Sequence, residues 1–216
     1  MKVCCGKVHA YVGIPLDFST KGEVHITMPK HLDDAVETFE NAQAEFNEGF
    51  IKVKRKRRRS QMTVDPKDLF VVNEECEKLP KKQQEAFHCV VVKLIYLWKH
   101  GRPDIGTAVS FLTKQVREPD VDDWRKLDHM IIHLKADRLR KWVLAANDSK
   151  DLMWYVDCIF GVHSDYRSHT GGGLTMGKGF AITISLAHKL NTRSWTEGEI
   201  VSVDNCLSLI YGHVSL

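Results

Sequence analysis

Two acidic residues in the last quarter of the chain have the surroundings of metal-binding carboxylates. Asp157 lies within the apolar, β-prone segment 152–158, which predicts a buried strand. Glu199 lies in segment 194–201, which predicts the first turn of a helix. Carboxylate oxygens are the ligands that a hard cation such as Mg²⁺ prefers. An acid on a strand and an acid at a helix start are arranged as a metal-dependent nuclease would arrange them.

The segments around these acids predict the elements that position them. Residues 171–179 and 180–185 predict two further strands joined by a tight glycine turn. Ser194 and Glu197 have the spacing of a capping box, and so do Thr196 and Glu199, which favours a helix start here. The predicted order is strand, strand, strand and helix, which is the order in the first half of a ribonuclease H-like fold.

Length and composition limit the classes of protein to consider. A chain of 216 residues can form one ordinary domain or two small ones, and 43% hydrophobic residues are typical of a soluble globular protein. No apolar segment is long enough to span a membrane, and no signal peptide is apparent. The six cysteines form no Cys-x-x-Cys pair, so neither a zinc site nor a redox motif is predicted. Without a secretory signal, we expect reduced thiols in an intracellular protein of the nucleus or cytoplasm.

Positive charge is concentrated in one short run. The net charge is +3, but residues 52–59 contribute seven positive charges, so the rest of the chain sums to 3 − 7 = −4. Such a run serves as a nuclear-import signal, as a nucleic-acid-binding arm on phosphates, or as a solvated loop without a partner. The candidate nucleic-acid-binding residues are Lys52, Lys54, Arg55, Lys56, Arg57, Arg58 and Arg59.

The remaining patterns predict an α+β protein in four segments. Residues 1–46 predict a β-hairpin, with Val24, Ile26 and Met28 on one face, followed by a helix that starts at Pro29. Residues 47–80 predict a basic and largely irregular linker. Residues 81–147 predict a compact antiparallel bundle of three amphipathic helices. Residues 151–216 predict the truncated ribonuclease H-like domain, a three-stranded sheet with one helix.

Eight short motifs, in this order and spacing, resemble one known family over nearly the full length of the chain. They are the segments 6–13, 16–19, 87–88, 102–105, 109–112, 155–157, 168–171 and 196–199. The chain resembles the C-terminal part of the Pol polyprotein of copia-type LTR retrotransposons. The resemblance implies that residues 8–28 form the primer-grip hairpin of a reverse transcriptase. The helices would then form its thumb and connection, and the rest would begin the ribonuclease H domain.

The resemblance also implies a chemistry for the two acids. In that family, carboxylates hold a divalent metal pair that activates water to cut RNA in an RNA–DNA hybrid. Asp157 matches the first of these carboxylates and Glu199 the second. Glu197 is the alternative for the second carboxylate, but the apolar helix that follows aligns with the family when Glu199 takes this role. The implied cofactor is Mg²⁺ and the implied partner is an RNA–DNA hybrid or other nucleic acid, with an upstream polyprotein segment as a further partner.

Two absences limit the activity that we expect. The chain contains no Tyr-x-Asp-Asp polymerase loop, so we expect no DNA polymerisation. The third carboxylate of the family lies on a strand after the helix, whereas this chain ends at Leu216. Asp204 does not replace it, because five residues correspond to about 140° around a helix. We therefore expect an incomplete centre that is inactive or weakly active.

Several residues depart from the family pattern near the two acids. Cys158, Ile159 and Phe160 follow the first acid where small residues are usual, and His188, Trp195 and Gly198 also differ. These departures indicate relaxed constraint in a decaying copy of the element.

The polar residues His163, Asp165 and His169 match no standard metal site, and we expect a solvated loop there.

Three hypotheses of function follow from the sequence. The chain is a Pol fragment with a ribonuclease H-like half-site, a nucleic-acid-binding module without chemistry, or an element remnant without a function.

Overall fold

The structure is a computed structural model that describes residues 6–49, 68–148 and 151–214. Within these residues it contains five α-helices and two antiparallel β-sheets. The predicted α+β class is therefore confirmed.

The N-terminal segment forms three strands where the sequence predicts one hairpin. These strands are β1 (Val8–Tyr11), β2 (Ile14–Asp17) and β3 (Val24–Ile26), paired in an antiparallel order. The additional turn lies at Val12 and Gly13, where φ is 51° and 79°. Two successive residues with positive φ are typical of a two-residue hairpin turn. A β-branched residue rarely adopts this conformation, so the residue types at this turn did not predict it.

The five-stranded sheet joins distant parts of the chain. Strand β4 (Trp142–Ala146) lies at the end of the segment predicted to be a helical bundle and pairs with β3. The two-residue strand β7 (Gly177–Lys178) then pairs with β4, which gives the order β1-β2-β3-β4-β7. The first and last parts of the chain therefore share one sheet.

Four helices surround the main hydrophobic core. They are α1 (Pro29–Gly49), α2 (Lys81–His100), α3 (Gly106–Gln115) and α4 (Val121–Ala136), with a short 3₁₀ helix at Pro103–Ile105 before α3. The three helices predicted after residue 81 are present, and α1 packs against α2 and α4. Phe39 of α1 and Phe87 of α2 are both buried in the same core as Leu127 of α4. The described part of the predicted N-terminal segment and the predicted helical bundle thus share a core.

Helix α4 begins with a capping box of two aspartates. The Asp120 carboxylate accepts a hydrogen bond from the Asp123 backbone N–H (2.9 Å), and the Asp123 carboxylate accepts one from the Asp120 backbone N–H (3.2 Å). This arrangement satisfies two helix-terminal donors that would otherwise be unpaired. Burial raises the pKa of Asp123 to about 6. The hydrogen bond from the Asp120 backbone N–H opposes this rise, and the negative charge of the Asp120 carboxylate adds to it.

The raised pKa of Asp123 predicts a specific dependence of stability on pH. The folded state binds this proton more tightly than the unfolded state, so the resulting stabilisation is complete below pH 3.8 and is lost as the pH rises through about 6. In Asp123→Asn, which keeps a hydrogen-bond acceptor, we expect the free energy of unfolding relative to wild type to increase between these values. The increase should reach up to about 3 kcal/mol.

Urea unfolding at several pH values measures this difference. Asp204→Asn, at an exposed position, serves as the control and should run parallel to wild type. If the free energy of unfolding of Asp123→Asn also runs parallel to wild type over this pH range, the raised pKa of Asp123 would be contradicted.

The last region contains the second sheet and one helix. Strands β5 (Met153–Ile159), β6 (His169–Thr175) and β8 (Phe180–Ala187) form an antiparallel sheet in the order β5-β6-β8, and α5 (Trp195–Val214) packs against it. The sequence predicts β5 as a buried strand. It is instead the edge strand of this sheet, and Tyr155, Asp157 and Ile159 are exposed.

Candidate functional site

The register of the second sheet assigns Asp157 to one of its two faces. Asp157 pairs with Gly171, which pairs with Ser185, so these residues share a face. Cys158 lies on the opposite face, because successive side chains of a strand alternate. Helix α5 packs on the Cys158 face, since a Cβ atom at Gly198 would lie only 2.9 Å from the Cys158 Sγ atom. The Asp157 side chain therefore leaves β5 on the face directed away from α5.

The start of α5 gives different positions to its two glutamates, with Glu197 in the first turn and Glu199, which the sequence predicts in that turn, just after it. The Ser194 hydroxyl accepts a hydrogen bond from the Glu197 backbone N–H (3.1 Å), and the Glu197 carboxylate accepts one from the Arg193 backbone N–H (2.6 Å). Glu197 thus caps the helix together with Ser194, as their spacing predicts. Glu199 is half-buried beside Gly198, which faces the sheet.

The two predicted metal ligands belong to opposite sides of one sheet. Asp157 leaves β5 on one face, and Glu199 belongs to α5, which packs on the other. Asp157 also accepts a hydrogen bond from the Cys158 backbone N–H (2.8 Å). The Asp157 side chain and the helix that carries Glu199 thus lie on different faces of the sheet, and Asp204 is exposed on α5. In the described ranges, no three His, Cys, Asp or Glu residues form a group that could hold a metal ion. The assignment of Asp157 and Glu199 as ligands remains a prediction.

The candidate nucleic-acid-binding run 52–59 lies outside the described residues. Its three alternative roles therefore remain open predictions.

Four of the departures from the family pattern contact one another. The Cβ position of Gly198 lies 2.9 Å from the Cys158 Sγ atom and 3.8 Å from the Phe160 ring. The Phe160 ring in turn lies 6.3 Å from that of Trp195, measured between centroids. The larger side chain at position 158 is accommodated by the absence of a side chain at position 198.

A buried polar network connects the sheet to α5 on the Cys158 face. Thr170 Oγ1 lies 2.8 Å from His188 Nε2 and 2.9 Å from Ser202 Oγ, and these two partners lie 3.1 Å from each other. All three side chains are buried. Burial lowers the pKa of His188, which keeps the ring neutral at pH 7. His188 is thus part of the packing of α5 on the sheet.

A second chain of hydrogen bonds lies on the Asp157 face. His163 Nε2 lies 3.1 Å from His169 Nδ1, and His169 Nε2 lies 2.7 Å from Ser185 Oγ. The expectation of a solvated loop is wrong for both histidines, which are buried beside the Phe70 ring, although Asp165 is exposed. Burial lowers the pKa of His163 to about 4, and the charge of Lys114 adds to this effect. Burial likewise lowers the pKa of His169 to about 3, with additional effects of His163 and Lys114. Both rings are neutral at pH 7.

The chain matches no protein-family model, no curated protein and no solved structure. The likeness to copia-type Pol therefore depends on the sequence motifs and remains a prediction. As for membranes, the described helices include none with the length and apolar character of a bilayer span.

The contact of Gly198 with Cys158 predicts a stability coupling between the two positions. Alanine is the better helix former by about 1 kcal/mol, but its methyl group would clash with the thiol, and overpacking costs about 1–3 kcal/mol. The net effect of Gly198→Ala should be a loss of up to about 2 kcal/mol in the free energy of unfolding, and this loss should be smaller when Cys158→Ala is already present.

Chemical unfolding of the two single variants and the double variant gives the coupling energy. Thr196→Ala, at an exposed position of the same helical turn, is the control and should not couple with Cys158→Ala. If the effects of Gly198→Ala and Cys158→Ala on the free energy of unfolding are additive, the predicted steric contact between the two positions is contradicted.

Proposed function

We propose that this chain is a fragment of a copia-type retrotransposon Pol polyprotein that keeps a ribonuclease H-like framework without an effective cleavage centre. The observation that carries the proposal is the direction of Asp157, whose side chain leaves β5 on the face away from α5 and Glu199. Cleavage needs carboxylates that share the metal ions and align a metal-bound water with the phosphodiester bond, and we infer from the direction of Asp157 that these two acids do not do so.

Other features support the ancestry in this proposal. Apart from the two-residue strand β7, the elements after residue 151 occur in the order of the first half of that fold, three antiparallel strands and then a helix. Asp157 lies on the first of these strands, and Glu199 lies near the start of the helix, just after its first turn. Glu197 caps the start of α5, so this proposal assigns the second role to Glu199.

A cleavage assay tests the catalytic part of the proposal. We expect no Mg²⁺-dependent cutting of an RNA–DNA hybrid above the level of Asp157→Asn and Glu199→Gln, because the two acids do not share an ion. The Asp204→Asn variant controls for the loss of a single negative charge. Cleavage by the wild-type chain that either of the first two substitutions abolishes would contradict the proposal.

A second candidate function is nucleic-acid binding without chemistry. The observation that favours it is the charge distribution, with seven positive charges in residues 52–59 against −4 in the rest of the chain. Lysine and arginine side chains that neutralise phosphates release condensed counterions, so binding of this kind weakens steeply as salt increases.

The salt dependence of binding tests this second function. We expect the triple variant Lys54→Gln, Arg55→Gln and Lys56→Gln to reduce the slope of log K against log salt. The reduction should be about 0.9 for each duplex phosphate that the variant no longer neutralises. The matched control neutralises three exposed lysines outside the run, Lys21, Lys30 and Lys189. Equal slopes for the two triple variants would exclude the run as the binding element.

A further inference from the structure

A cavity of about 520 Å³ lies between the Asp157 face of the second sheet and the helices. The end of α2, the 3₁₀ helix and the start of α3 form its roof, with Trp98, Pro103 and Thr107 among the lining residues. This volume lies within the range of small-molecule sites, which is about 300–1,000 Å³. The cavity is separate from the packing between the sheet and α5.

The floor of the cavity is flat because the middle strand lacks side chains there. Gly171 and Gly173 direct no side chain to this face, and a Cβ atom at Gly171 would meet no heavy atom within 4 Å. At Gly173 the Phe180 ring occupies the space instead, with its nearest atom 2.5 Å from the Cβ position. The open part of the floor is therefore above Gly171.

Aromatic side chains border this floor. The Phe180 ring meets that of Tyr155 edge-on at 5.9 Å between centroids. The Trp98 indole N–H donates a hydrogen bond to the Thr183 hydroxyl (3.1 Å), which fixes the indole against β8. A flat floor and fixed aromatic borders fit a planar ring, because rings stack and meet edge-on at centroid separations of about 4.5–7 Å.

Two polar groups flank the open part of the floor. Asp157 on β5 and Ser185 on β8 lie in register on either side of Gly171, so their strands are about 10 Å apart. The Ser185 hydroxyl forms a hydrogen bond with His169, which in turn forms one with His163. By contrast, the Asp104 carboxylate in the lining already accepts hydrogen bonds from Arg102 and Arg140. Asp157 therefore provides the acceptor for a ligand.

We propose that this cavity binds a planar heteroaromatic ring that carries an exocyclic amino group, with the amino group donating to Asp157. The ring lies over Gly171 beside the aromatic side chains, and the Ser185 hydroxyl contacts its far edge. The negative charge of Asp157 selects an amino-substituted or cationic ring over one that carries a carboxylate. This inference goes beyond the proposed function and does not depend on nucleic-acid binding.

A matched pair of ligands tests the proposed selectivity by isothermal titration calorimetry. We expect 2-aminobenzimidazole to bind and benzimidazole, which lacks the amino group, to bind about tenfold or more weakly. Asp157→Asn should remove most of this difference, whereas Asp204→Asn should retain it. Equal affinity of the two compounds, or no heat from either at millimolar concentration, would overturn the proposal.

A cavity-filling variant tests the location of the site. Gly171 does not adopt a positive φ and has free space at its Cβ position, so Gly171→Leu should fold and fill the space above the floor. We expect this variant to lose binding of 2-aminobenzimidazole while its circular dichroism and thermal unfolding stay close to wild type. Unchanged binding in a folded Gly171→Leu protein would refute the location. If Gly171→Leu does not fold, the ligand pair and Asp157→Asn still decide the proposal.

Discussion

The close approach of α5 to β5 at Gly198 and Cys158 determines the organisation of the last sixty residues. Because side chains alternate along a strand, one contact of this kind decides which residues of β5 face the helix and which face away. Cys158 faces α5, so Asp157 faces the cavity roofed by α2, the 3₁₀ helix and α3. The face on which Asp157 lies and the polarity of the cavity are therefore consequences of one packing contact.

The middle strand β6 separates two polar systems that have different roles. On the α5 face, Thr170 joins His188 and Ser202 in a buried network. On the cavity face, His169 holds Ser185. Polar groups in such positions are costly when unpaired, and a shift of one residue in register would exchange the two faces. Thr170 and His169, which are neighbours in sequence, thus help to specify a single register.

The local patterns of the sequence predicted much of the fold. Helical periodicity predicted α2, α3 and α4, the glycine turn predicted the β6–β8 pair, and the Ser194–Glu197 spacing predicted the start of α5. These features depend on residues close together in the chain. The turn at Val12 was missed because a β-branched residue is uncommon with positive φ, and β4 was missed because its partners lie far away in sequence.

The candidate site was less predictable for the same reason. The alternation along β5 was visible in the sequence, but the face on which α5 packs depends on the volumes at positions 158 and 198. The burial of His163 and His169 depends on Phe70, which lies about a hundred residues earlier in the chain. The polarity of the segment around the two histidines could not reveal that distant partner.

The most direct test of this account is whether Asp157 and Glu199 bind one metal ion together. Electron paramagnetic resonance of free Mn²⁺ during titration gives the stoichiometry and affinity for the wild type, Asp157→Asn, Glu199→Gln and the double variant. The account predicts that Asp157→Asn and Glu199→Gln do not abolish the same Mn²⁺ site. Any small changes in Mn²⁺ affinity should add up in the double variant. A site of defined stoichiometry that either substitution alone abolishes would contradict it.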